Sequence, residues 1–478
     1  MIFCSLLCSP FGCISSPPSP NIGLIYNEAA QNIGDDRNPV IVIPGILGSK
    51  LVHPESEQPI WGSFVYGAAD ADTAEGARLV ALPMEQGKPL SDLHDEIVAT
   101  EVLDNLTVDI TIIQGVEFAA YVDILKTLAA GEYRDETVGE AGGYVDYAGA
   151  HYTCFQFPYD WRRDVAEQAA LLHEMVLSAK QAQPVPTAKV DIVAHSMGGL
   201  VLRYYLRYGP DLLPDDGSLP ELDWEGAQHV EHAILIGTPS GGSVFALEQL
   251  AKGVNFVPLL TPTYRPAVLG TMPAIYQLLP RTRHKRVIDR ETREPIDLFR
   301  TQTWEDLEWG LLDPEQDRFL AQLLPEVETS GERRRVAKDH LNKSLARAEQ
   351  LHRALDVPAV LPAGTEIHLI AGDSHSTPDV LSVNPETGTL SVQSYAPGDN
   401  TVTRASTLMD ERIGQPYRPR LRSPVRFDTI QFLTSNHLGL TKDPLFVNFV
   451  LFTLLERPRL SDMSYSPLPG GAAKGSAE

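Results

Sequence analysis

Apolar residues along this chain fall into short unbroken runs separated by stretches of helical periodicity. Val40 to Ile43 is apolar at every position, as a parallel strand buried on both faces requires. His151 to Phe157, Val190 to Ala194, His229 to Gly237 and the segment resuming at Glu366 read as further strands. Tyr121 to Leu128, Val165 to Gln181 and Leu200 to Tyr208 read as helices, the second carrying Leu171, Leu172, Met175 and Val176 at helical spacing. A last amphipathic helix is expected over Pro444 to Leu455, with Asp443 as N-cap and Pro444 at the first helical position. Strands alternating with helices across short turns predict an α/β architecture: a mainly parallel central sheet with helices on both faces. No internal repeat interrupts it.

Two stretches depart from the alternation. Trp61 to about Asp109 is irregular and rich in Gly, Ala and Asp, and reads as surface loops. Thr282 to Leu355 is dense in Arg, Glu, Asp and Gln, with Leu307, Leu311, Leu312, Leu320, Leu323 and Leu324 at helical intervals, and reads as a helical cap insertion over the sheet. The expected organisation is a leader or flexible tether over 1–37, a first core segment over 38–281, the insertion over 282–356, a second core segment over 357–460, and a disordered tail over 461–478.

Composition narrows the function classes. With 63 acidic against 39 basic residues the formal charge is −24, which argues against nucleic acid, since a phosphate-binding surface needs Lys and Arg gathered on one face. The same balance weakens a purely electrostatic docking on anionic lipid. Cys4, Cys8 and Cys13 crowd the N-terminus and Cys154 stands alone, so the body has no pair for an internal disulfide. Two readings of the N-terminus stay open: a short apolar leader lipidated at Cys8 or Cys13, giving a membrane-anchored or extracytoplasmic enzyme, or a disordered tail on a cytoplasmic one. No segment has the roughly 18 uninterrupted apolar residues of a transmembrane helix.

The chemistry centres on V-D-I-V-A-H-S-M-G-G-L, from Val190 to Leu200. A serine between a buried strand and a helix, followed by two glycines, sits on a bend tight enough to push its hydroxyl out of the sheet, the geometry of a nucleophile elbow. Ala194 replaces the usual first glycine with another small residue. The alternative, an ordinary Ser–Gly turn capping a helix, accounts less well for the flanking strand and helix. Ser196 then needs a base, and the base an orienting acid. The α/β-hydrolase order is Ser, acid, His, and His437, in the late loop T-S-N-H-L-G-L, suits the last place better than a plain surface histidine would. Asp399, in the turn A-P-G-D-N-T, is the favoured acid, and Asp373, in I-A-G-D-S directly after a strand, is the other candidate. His195 is expected to pack or hydrogen-bond to backbone rather than act as base, because neighbouring residues point in different directions. An oxyanion needs two preorganised N–H donors. The amide of Met197 follows the nucleophile, and that of Ile46 lies in the P-G-I-L-G-S loop after the first strand. There is no phosphate-binding loop and no paired His/Cys spacing, so neither a cofactor nor a metal is expected.

These fragments resemble the lecithin:cholesterol acyltransferase family of α/β-hydrolases. The resemblance rests on P-V-I-V-I-P-G-I-L-G-S-K-L (Pro39 to Leu51), P-Y-D-W-R (Pro158 to Arg162), H-S-M-G-G, G-D-N-T-V (Gly398 to Val402) and N-H-L-G, in the family's order. It implies Ser196, Asp399 and His437 as triad and Ile46 and Met197 as oxyanion donors. It also implies O-acyl transfer from a phospholipid-like ester to an alcohol or water, at a membrane or lipoprotein-like surface. Extracellular animal members carry a disulfide-closed lid that this chain has no cysteines to form. In P-Y-D-W-R, Tyr159 and Trp161 are expected to pack beneath the site while Asp160 and Arg162 pair. The competing functions are a soluble carboxylesterase on small esters and a non-catalytic interaction protein on a hydrolase scaffold.

Overall fold

Six of the chain's apolar runs assemble into one all-parallel sheet in a computed structural model that describes residues 21–31, 37–64, 67–103, 107–108, 119–135, 152–183, 189–255 and 261–458. Its strands are β1 (Val40–Ile43), β2 (Cys154–Gln156), β3 (Val190–His195), β4 (Val230–Ile236), β5 (Glu366–Gly372) and β6 (Thr429–Leu433). Their order across the sheet is β6-β5-β4-β3-β1-β2. The register places Val40 beside both Cys154 and Asp191, His195 beside Ile236, and Gly372 beside Leu433. Chain order reverses at β1, between β2 and β3, and the crevice outside the carboxyl ends of strands at such a point is where α/β sheets hold ligands.

Side-chain alternation divides the core into two layers. Val40, Val42, Val193, Ile234, Ile236 and Ile370 face the helices Ala119–Ala130 and Pro444–Leu455. Ile41, Ile43, Ile192, Ala194, Leu235 and Leu369 face the helices Val165–Gln181 and Gly198–Tyr208. This double cover is why strand sequences such as V-I-V-I contain no polar position. Within Val165–Gln181, Leu172 and Val176 are buried but Leu171 is 55% exposed, so the inward stripe is narrower than the apolar cluster in the sequence. Asp443 caps the last helix through the amide of Leu445, as expected. That helix is apolar almost all round: Phe446, Val450 and Leu454 are buried while Leu445 and Phe452 stay exposed.

Several sequence expectations need correction. The stretch after Trp61 is not a set of surface loops. Trp61, Ala77, Val80 and Leu82 are buried, residues 74–80 are helical, and Ser49–Val52, Pro59–Trp61 and Val98–Val102 form a three-stranded antiparallel sheet. Ala69, Ala71, Ala77 and Ala81 are buried packing residues there, while Gly67 and Gly87 are exposed turn residues. Part of the expected tether also packs: Tyr26 is buried and its hydroxyl donates to Asn448 Oδ1 at 2.7 Å. Cys4, Cys8, Cys13 and the tail over 461–478 lie outside the described residues.

The insertion, residues 282–356, is mainly helical, with irregular turns over 290–300 and 324–328, and includes the strand Val287–Asp289, which joins the antiparallel hairpin His375–Val383 and Leu390–Gly398 in a second small sheet. Its long helix, Ser330–Asp356, opens on Thr329 as N-cap, whose Oγ1 accepts the Glu332 amide at 3.2 Å and whose hydroxyl donates to the Glu332 carboxylate at 2.8 Å. Its C-terminal end packs on the helix after Ser196, where Tyr208 donates to the Ala354 carbonyl at 2.9 Å.

Candidate active site

Ser196 follows β3 directly, with φ of 52°, a left-handed conformation that a side chain adopts only when its surroundings enforce it. Two contacts enforce it here. The Ser196 amide donates to the Ile236 carbonyl of β4 at 2.7 Å. Close packing of the following helix does the rest: a Cβ on Gly199 would lie 1.9 Å from Thr238 Oγ1, so only glycine lets this turn approach the end of β4. The serine is 7% exposed.

The loop after β1 comes up against it. A Cβ on Gly45 would stand 2.7 Å from that of Ser196. Two buried tyrosines hold the loop: the Gly45 amide donates to Tyr121 Oη at 2.9 Å, and the Tyr159 hydroxyl donates to the Pro44 carbonyl at 3.0 Å. Burial pushes both phenols up, so they remain neutral hydrogen-bonding groups. With the Gly45 amide engaged, the next one, Ile46, has no acceptor among the described residues, and neither has that of Met197. Leu47, at φ 65°, completes the turn.

His437, beyond the end of β6, bridges the serine and an acid. Its Nε2 lies 2.9 Å from Ser196 Oγ and its Nδ1 2.8 Å from Asp399 Oδ2. Since an ionised carboxylate only accepts, Nδ1 carries the proton and Nε2 offers its lone pair to the serine. Asp399, in its turn, is fully buried. Burial works against its charge, yet His437 and the amides of Val402 and Thr401 outweigh that and hold its carboxyl below the usual range. Those amides donate to Oδ1 at 2.7 and 3.0 Å, leaving Oδ2 for the imidazole. Asp373, the other candidate, turns away and pairs with Arg404 at 3.5 Å.

His195 lies against His437, ring centroids 4.7 Å apart, and its Nε2–H donates to the His437 carbonyl at 3.1 Å. Burial, then the neighbouring His437, push its pKa down to about 3. It is therefore a neutral packing and hydrogen-bonding residue. A backbone hydrogen bond is expected of His195, but its partner, the His437 carbonyl, and the part played by Tyr121 have no local signal in the chain.

The P-Y-D-W-R segment supports the site from below. Tyr159 and Trp161 are buried, and Trp161 Nε1 donates to the Ser49 carbonyl at 3.2 Å. Arg162, fully buried, pairs with Asp160 at 2.7 Å and Asp95 at 2.9 Å and donates to the Val80 carbonyl.

A model of the lecithin:cholesterol acyltransferase family matches residues 111–389, a span that contains Ser196 and ends before Asp399 and His437. The phospholipid–sterol O-acyltransferase of Arabidopsis thaliana is 31% identical over 102 residues, 21% of this chain and 16% of that protein. The lysosomal phospholipase A and acyltransferase of Rattus norvegicus is 31% identical over 109 residues, 22% of this chain and 23% of that protein. The chain thus matches less than a quarter of the length of these relatives. Among solved structures, a chain of the Tle4–Tli4 complex is similar at a TM-score of 0.49 and 14% identity, covering 87% of this chain and 98% of that one. Lipase 1 of Pelosinus fermentans is similar at a TM-score of 0.32 and 12% identity, covering 88% and 99%. No helix among the described residues is long and apolar enough to cross a membrane. With its parallel α/β-hydrolase sheet and a serine at the bend after the third strand, the chain belongs to the lecithin:cholesterol acyltransferase family.

Proposed function

We propose that the chain is a serine-dependent acyltransferase and phospholipase that moves a fatty acyl group from a phospholipid-like ester to an alcohol or water. The observation that carries this reading is the single imidazole within hydrogen-bond distance of both Ser196 Oγ and Asp399 Oδ2. As the ester carbonyl approaches, His437 Nε2 takes the proton from Oγ, which adds to the carbonyl carbon. The imidazolium so formed is stabilised by Asp399, whose depressed pKa keeps it ionised. The amides of Ile46 and Met197 receive the oxyanion, a contribution on the order of 3 kcal/mol per donor in such sites. His437 then returns the proton to the departing alcohol, leaving an acyl group on Ser196.

In the second half an alcohol or water gives its proton to His437 and attacks the acyl carbon, and as the bond to Ser196 Oγ breaks the imidazolium returns that proton to Oγ. Both outcomes use the same residues, so the partition depends on how far the site excludes water and holds an alcohol. Membership in a lipid-acting family supports a lipid ester at an aggregate surface as donor.

The test is product analysis with a phospholipid labelled in one acyl chain, presented in vesicles with and without a sterol or a long-chain alcohol. Labelled acyl ester rising with the alcohol, together with free fatty acid in its absence, is expected. Turnover of short soluble esters with no gain from vesicles would instead make the chain a soluble carboxylesterase.

A further inference from the structure

The opposite edge of the central sheet, where its strands begin, gathers a second set of reactive side chains. His232 lies near the start of β4, and Glu366 and His368 open β5. In the parallel register Glu366 stands beside His232, and His368, two residues on, shares its sheet face. That face is covered by the helix Pro444–Leu455, whose Phe449 ring meets that of His368 edge-on at 5.8 Å. Nδ1 of His232 is 3.2 Å from Nε2 of His368. One oxygen of Glu366, Oε2, lies 3.8 Å from the first nitrogen and 3.5 Å from the second.

We propose that His232, Glu366 and His368 form a site for a divalent transition-metal ion, with zinc the best fit, that ties the starts of β4 and β5 together apart from the acyl-transfer centre. A tetrahedral ion with bonds of about 2.0–2.1 Å holds its donors about 3.3–3.4 Å apart. The three separations observed lie around that value. Two imidazoles and one carboxylate suit zinc and its neighbours better than calcium or magnesium, which favour oxygen.

The surroundings orient the donors. His368 Nδ1–H donates to Thr429 Oγ1 at 2.8 Å, which turns the Nε2 lone pair toward His232. Asp191 Oδ1 fixes the backbone of His232 by accepting its amide at 3.0 Å, and Asn38 Nδ2 reaches the same oxygen at 3.3 Å. Asp191 and Glu231 also form a second potential donor group with His232. Arg457 Nε donates to Glu366 Oε2 at 2.6 Å. Because each carboxylate oxygen has two lone pairs, that contact leaves one for the ion. Glu366 pairs with Arg457 at 2.6 Å, and Glu231 and Asp191 favour the charged form of Lys189. Glu366, the least buried of the three ligands, marks the side from which the ion and a water as fourth ligand enter.

A hydrogen bond between two neutral imidazoles would explain the short N···N distance alone, but it has no need of a carboxylate oxygen as a third corner. The expectation of no metal came from the lack of paired ligand spacing in the sequence. These donors come from two strands and meet only through sheet register.

The experiment uses the full chain, stripped by dialysis against a chelator and titrated with Zn²⁺ or Co²⁺. One equivalent should bind, Co²⁺ should take the visible absorption of a tetrahedral site, and the melting temperature should rise with ion concentration. Glu366→Gln, which keeps an acceptor for Arg457, and His368→Asn should each weaken binding at least about tenfold, as expected for loss of a ligand, with fluorophosphonate labelling of Ser196 unchanged. No stoichiometric binding by the stripped wild-type protein would overturn the proposal. So would an unchanged affinity and spectrum in Glu366→Gln, a variant that decides the matter even if His368→Asn does not fold.

Discussion

Gly372 and Asp399 are in contact: a Cβ on the glycine would lie 2.6 Å from the Cβ of the aspartate. The chain leaves the end of β5 at Gly372, runs out and back through the hairpin His375–Val383 and Leu390–Gly398, and returns to the same strand end. Asp399 thus occupies the place expected of a residue directly after β5, although a whole hairpin separates them in the sequence. Replacing Gly372 with alanine should push the carboxylate off the His437 ring. We expect kcat to fall about 10–100-fold, the effect of misplacing a catalytic group by an ångström or less. Steady-state kinetics alongside a thermal melt check this, and unaltered kcat in a folded protein would contradict it.

Of the two buried tyrosines that hold the loop carrying the Ile46 amide, Tyr121 supplies the acceptor for the Gly45 amide. Tyr121→Phe removes the acceptor with little change in volume and lets the loop relax. Because the oxyanion forms only in the reaction, the loss should appear in kcat, about tenfold, with KM nearly constant. A rise in KM with constant kcat would show that the loop binds substrate instead.

Arg162, fully buried, is enclosed by Asp160, Asp95 and the Val80 carbonyl. Burial opposes its charge, and the two carboxylates more than restore it. Arg162→Met would leave the buried carboxylate of Asp160 and the half-buried one of Asp95 facing no cation, and should destabilise the fold by about 3 kcal/mol. Denaturant unfolding reads this directly, and a loss under about 1 kcal/mol would show that the acids find other partners.

Glu167 offers a pH-dependent test of packing away from the site. Burial, then Asp164, push its carboxyl up to about 7 against the opposing pull of Arg163, 2.8 Å away. A carboxyl raised on folding favours the native state most fully below its unfolded value of about 4.3, and that contribution is lost as pH rises through 7. Glu167→Gln stays neutral throughout. Its melting temperature relative to wild type should therefore increase between pH 4.5 and pH 8, by about 2 °C or more. A difference that does not change with pH would contradict the raised value.

Much of this was legible in the sequence because local pattern and burial agreed. The run V-I-V-I predicts a doubly covered strand, and Val190 to Leu200 predicts the bend at Ser196, because both depend on residues adjacent in the chain. Asp443 and Pro444 marked a helix start for the same reason. The strand Thr429–Leu433 escaped because T-I-Q-F-L alternates imperfectly, and its residues are mostly half-buried at the sheet edge. The region after Trp61 was misread because small residues pack there as tightly as large ones elsewhere. Contacts such as Tyr121 with Gly45, or His195 with the His437 carbonyl, depend on where distant loops converge, which no local periodicity encodes.

Reaction of the folded protein with a fluorophosphonate probe, followed by peptide mapping, tests the proposed nucleophile most directly. Label should appear on the peptide containing Ser196, vanish in Ser196→Ala, and form about 10²–10⁴-fold more slowly in His437→Ala, the usual contribution of a positioned base. Label on another residue, or phospholipid turnover surviving in Ser196→Ala, would contradict it.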